Sequence, residues 1–218
     1  MKFPHAYAAV KKLFLAEVIS IAVAILSLTA AILAAVGIEN EPALLTAGTL
    51  GLVSLIAMIV VFVFQLVALI QGKKDSEHFG IALWLTLIAI VVSIVSTVLQ
   101  SIDATKGLGT LFSVLDAVVS VANVLIILMI LFGISNIADK LGNKEMSEKG
   151  SRLVTYIVIL YVVSIGLSLV AGIFNKDGIG QGWAIAFAIF GIVAAIIVIL
   201  IYINVVIYYY RAIKMLKK

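Results

Sequence analysis

The chain has 218 residues, of which 64% are hydrophobic and only 12% charged, with a formal net charge of +4. So few charges cannot cover the surface of a water-soluble domain of this size, and a mean hydropathy of +1.29 points the same way. Cysteine is absent, which excludes disulfides, thiolate metal sites and cysteine nucleophiles.

Six apolar runs dominate the chain: Leu13–Val36, Leu44–Ile70, Phe79–Leu99, Leu108–Ile134, Leu153–Phe174 and Trp183–Ile207. At about 1.5 Å per residue each can cross a hydrocarbon core of roughly 30 Å. The runs are continuous rather than alternating, which predicts helices and not barrel strands. The expected fold class is an all-α integral membrane protein with six transmembrane helices in one polytopic domain, residues 1–218. The first span resembles a secretory leader in its basic start at Lys11 and Lys12, but its apolar run is too long for one.

In chain order, Met1 to Val10 carries Phe3, Pro4, His5 and Tyr7 and reads as an interfacial lead-in. The first span is expected to run to Gly37, and Pro42 suits the first turn of the second. Gly72 is placed as a left-handed cap at that span's end, and Asp75 or Ser76 as the cap of the third span, with Glu77 at its positive end. The third span should end near Gln100. The fourth is expected to continue through Asn136 to Lys140, with Gly142 as its stop, and Ser147 and Glu148 as the start signal of the fifth. The sixth should run past the bilayer through Tyr208, Tyr209, Tyr210 and Arg211.

A polar phrase occurs twice, as Gly72–Gly80 and Gly142–Gly150, 70 residues apart. With Met146 treated as an insertion and Phe79 as its counterpart, both copies read Gly, any residue, Lys, acid, Ser, Glu, base, Gly. Taking Ser20, Ser93 and Ser164 as equivalent also aligns Ala24, Thr97 and Ser168 one turn later, a small-residue pair for helix packing in the first, third and fifth spans. The repeat predicts three tandem helical hairpins, about 1–74, 75–144 and 145–218, in a pseudo-threefold bundle.

Orientation follows from the basic residues. With both termini on one side, that side carries thirteen Lys and Arg, and the other carries only Lys106 and Lys176. This bias predicts an integral protein of a plasma or inner membrane, with both termini and both phrases in the cytoplasm. It accounts for the positive charge without a nucleic-acid partner.

Chemistry-bearing residues are few. His5 and His78 flank spans at equivalent positions and read as interfacial polar groups rather than a metal pair. No phosphate loop, nucleophile elbow or zinc-helix motif is found, so no catalytic residue, cofactor or metal is expected. The fourth span lines up Thr110, Ser113, Asp116, Ser120 and Asn123 at spacings of three, three, four and three, a candidate intramembrane polar site. A carboxylate in hydrocarbon costs about 3 kcal/mol on insertion scales, which marks Asp116 for attention; pairing with Lys106 or hydration near the surface is the alternative. Gln65, Asn136 and Asn204 form a second group near the cytoplasmic ends, as a polar ring or as simple interhelical glue, and Glu17, close to Lys11 and Lys12, reads as an ion-pair residue at the same face, with Arg211 as a further partner.

These features predict a non-enzymatic multi-pass membrane protein of structural, accessory or partner-binding type, packing through small-residue faces and presenting a basic cytoplasmic surface. Its expected partners are the lipid bilayer and a second copy or another membrane protein. The competing expectation is a small-solute transporter or channel using the polar face of the fourth span.

Overall fold

A computed structural model describes residues 2–36, 41–102, 109–175 and 181–217. It is all-helical: α1 Pro4–Val36, α2 Glu41–Gly72, α3 Glu77–Ile102, α4 Gly109–Lys140, α5 Lys144–Asn175 and α6 Gln181–Leu216. Each contains a stretch long and apolar enough to cross a membrane. Lys106, Lys176 and residues 37–40 lie outside the described residues.

Two boundaries differ from the sequence reading. The lead-in is itself helical, because α1 begins at Pro4, whose missing N–H is no loss in a first turn. Residues Ala6, Ala9, Val10 and Leu13 then bury one face of that extension. Likewise α5 starts at Lys144, ahead of Ser147. Its cap is Asn143, whose side-chain oxygen accepts from the Met146 N–H at 3.2 Å.

The two phrases end their helices differently. After α4, Gly142 takes φ +73°, the Asn143 N–H reaches the Ala138 carbonyl at 2.9 Å, and the Gly142 N–H reaches Asp139 at 2.8 Å. That is the expected left-handed stop. Gly72 is not left-handed and closes α2 in helical geometry. Its requirement is space: an added Cβ would stand 2.7 Å from Cγ of the Phe79 ring.

The chain divides into two compact units. The terminal unit joins Met1–Leu83 to Tyr209–Lys218, and the central unit is Trp84–Tyr208. Within the terminal unit α1 packs along α2, and within the central unit α4 packs along α5. In each, burial concentrates at the helix ends next to the phrases. Ala6, Leu13, Leu69, Phe79 and Ala212 are sealed in the terminal unit; Leu131, Ile134, Ile137, Met146 and Tyr208 are sealed in the central one. Toward the opposite ends large apolar side chains stand open, Leu28 at 64% and Leu52 at 66%. This division has a physical reason. In lipid a leucine gains little by moving from acyl chains to protein, whereas near water the hydrophobic effect drives close packing.

Candidate functional site

The polar line on α4 is present as the spacing requires: Ser113, Asp116, Ser120 and Asn123 share one helical face, and all four are exposed. The Thr110 side chain lies outside the described residues. Asp116, Ser120 and Asn123 have no hydrogen-bond or ion-pair partner among the described residues. An open cavity of about 440 Å³ on this helix is lined by Ser113, Val114, Ala117, Val118 and Val121. Asp116 is beside it rather than in its lining. The line is therefore an outward-facing stripe and not the wall of an enclosed polar pocket.

The second predicted group separates. Glu17 and Gln65 are half-buried in the terminal unit, while Asn136, half-buried, and Asn204, exposed, belong to the central unit. The Asn204 amide donates to the Leu200 carbonyl of its own helix at 2.8 Å. Of the repeat-equivalent positions, Ser20 is half-buried and Ser93, Ser164, Ala24 and Thr97 are exposed; the Ser168 side chain is outside the described residues. Thr97 bonds the Ser93 carbonyl one turn back at 2.9 Å.

The densest polar geometry lies elsewhere, at the phrase-bearing end of the terminal unit. Asp75 does not cap α3: its carboxylate accepts from the Ala6 N–H at 2.7 Å, capping α1 across 69 residues of chain. Lys12 Nζ donates to Gln71 Oε1 at 2.8 Å, a second tie from α1 to the end of α2. Ser76 leads into α3, its carbonyl accepting from the Phe79 N–H at 3.3 Å, and its Oγ is 3.4 Å from His78 Nδ1. A signal for the Asp75 tie was in the sequence. Met1, Lys2 and Phe3, which precede Pro4, include none of the side chains that cap helices, so the cap must come from another segment. Asp75→Ala is expected to cost about 1 kcal/mol of stability, and Asp75→Asn, which keeps an acceptor, clearly less. Thermal unfolding of the two purified variants measures this, and equal stability of Asp75→Ala and the wild type would reject the cap.

In the central unit the second phrase is tied by Ser135, whose Oγ donates to the Ser147 carbonyl at 2.9 Å. Lys149 pairs with Glu145, and Arg152 with Glu148 at 3.5 Å, both along α5. Tyr208 packs on Gly150, and its buried hydroxyl has no hydrogen-bond partner among the described residues. Among the described residues, no group of three His, Asp or Glu stands close enough to hold a metal ion.

These features define an all-helical chain whose six helices are long and apolar enough to span a membrane. In comparisons with known proteins, no family model, no curated protein and no solved structure matches this chain.

Proposed function

We propose that the chain is a non-enzymatic multi-pass membrane protein of structural, accessory or partner-binding type. The observation that carries the reading is the exposed stripe Asp116, Ser120 and Asn123, polar groups on a helix of spanning length without partners among the described residues. In hydrocarbon such groups are costly unless a neighbouring helix meets them, so a second copy or another membrane protein covers this face. The exposed small residues Ser93, Thr97 and Ser164 support the same view, since they allow close helix approach. The internal sequence repeat supports three tandem hairpins with pseudo-threefold symmetry.

A photocrosslinking residue at Ser120 or Asn123, introduced in native membranes, should capture a discrete protein, either this chain or another. Adducts with lipid alone would overturn the reading. Asp116→Asn should change stability by less than about 0.5 kcal/mol, because no partner among the described residues is lost. A transporter using this face would instead need the carboxylate, and the Asn variant would fold normally yet lose activity in cells.

The basic asymmetry of thirteen to two supports cytoplasmic termini in a plasma or inner membrane. Single cysteines at Gly142 and Lys218 should resist an impermeant thiol reagent in intact cells, and labelling of either from outside would reverse the orientation.

A further inference from the structure

The charge of this protein is unevenly placed. The terminal unit holds nine basic and five acidic residues, and the central unit six of each, so the whole net charge of +4 resides in the terminal unit. Local pairing sharpens the contrast. Lys149 and Arg152 of the central unit are matched by Glu145 and Glu148. In the terminal unit Lys11, Lys73, Lys74, Arg211, Lys214 and Lys217 are all exposed, and none has an ion pair among the described residues. The one acid of the first phrase beside these lysines that is not exposed, Asp75, is engaged by the α1 N-terminus.

Aromatic rings sit among these cations. Lys214 Nζ lies 4.4 Å from the centroid of the Tyr210 ring, and Tyr210 meets Phe14 at 6.0 Å between centroids. Phe14, Tyr210 and Lys214 thus form a ladder from the apolar part of α1 to the basic end of α6. Apolar body, amphipathic ring and cation in that order are the arrangement of side chains at a membrane–water boundary.

We infer that the phrase-bearing end of the terminal unit is a binding surface for the phosphodiester headgroups of anionic membrane lipids. Charge complementarity supplies the attraction, and the aromatic ladder sets the cations at headgroup depth rather than projecting them toward a soluble polyanion. Each basic residue near such a surface adds about 1 kcal/mol of attraction, equivalent to about a fivefold preference. The inference needs the membrane placement proposed above but not the capture of a second protein.

The test uses the full-length protein in detergent, titrated with phosphatidylglycerol, phosphatidylcholine or inorganic phosphate while thermal unfolding is followed. Phosphatidylglycerol should raise Tm, and near 1 M salt, where charges are screened beyond about 3 Å, the shift should vanish. Phosphatidylcholine and inorganic phosphate should not produce it. Combining K11Q, K73Q, K74Q and R211Q should abolish the shift, whereas K140Q with K144Q in the central unit should keep it. A variant-free measurement covers the case in which the fourfold change fails to fold. A photoactivatable phosphatidylglycerol in wild-type bilayers should label peptides within 2–14, 71–75 and 209–217 in preference to 140–152. Equal shifts with the two lipids, a shift with free phosphate, preferred labelling of 140–152, or a fourfold variant that responds like the wild type would each overturn the proposal. The Ser120 crosslink is unaffected by any of these outcomes, so the two readings fail separately.

Discussion

Phe79→Ala is expected to destabilise the terminal unit by about 3–5 kcal/mol, the cost of a cavity left by a large buried ring. Phe79 has no exposed surface and lies against Gly72, where an added Cβ would stand 2.7 Å from Cγ and 2.8 Å from Cδ1 of the ring. A ring fully enclosed beside the α2–α3 turn cannot give way, so Gly72→Ala should itself cost about 1–3 kcal/mol as overpacking. The two changes should not add. Once the ring is gone, alanine at position 72 meets nothing and fills part of the vacated space. Thermal unfolding of the wild type, both single variants and the double variant gives the coupling directly. Additive losses would show that Gly72 and Phe79 are not a packed pair.

The second large effect is expected at Gly150. A Cβ there would collide with the Tyr208 hydroxyl and lie 3.0 Å from Ser135 Cβ, with side chains closing in from two helices. Gly150→Ala should cost about 1–3 kcal/mol. Tyr208→Phe should be neutral or stabilising, because its hydroxyl is buried without a partner among the described residues and its removal leaves none of them unsatisfied. Tyr208→Phe should also relieve much of the Gly150→Ala penalty, since the hydroxyl is the nearest obstacle. A Tyr208→Phe variant less stable by more than about 1 kcal/mol would mean that the hydroxyl makes a bond essential to the fold.

Element number and type were legible because length and hydropathy decide them: six runs, six helices. Boundaries were less so, since apolar runs stop where charge begins while helices continue. The amphipathic spacing of Ala6, Ala9, Val10 and Leu13 in α1, and of Met146, Gly150 and Leu153 in α5, shows in retrospect where each helix extends beyond its run. The phrase alignment treated Phe79 and Met146 as exceptions to be set aside. They are the buried apolar anchors of their two phrases. Helix pairing was legible in part: α1 packs along α2 as the first hairpin requires, whereas the α4–α5 packing was not foreseen, because spans that are apolar on every side carry no directional signal for which neighbour they meet. On α4 the shared face of Asp116, Ser120 and Asn123 follows from spacing alone. Whether that face points inward depends on packing, and spacing does not encode packing. The Asp75 cap was half-legible: the missing local cap of α1 showed a vacancy, but not which of the distant carboxylates fills it.

The make-up of the terminal unit bears on how the protein is made. Its α1 leaves the ribosome before the central unit is made, while Tyr209 and Ala212, which help seal its core, follow that unit in the chain. Between them the whole central unit must be translated and inserted. A nascent chain therefore carries α1, α2 and the start of α3 while the central unit is synthesised, with the Phe14 ring lacking Tyr210. Closing a loop of that length adds only slowly to the entropic cost, so the delay is one of timing rather than of final stability. During it the unsealed core of the terminal unit is open to insertion factors and to proteolytic surveillance. Synthesis of residues 209–217 is then the event that seals the terminal unit.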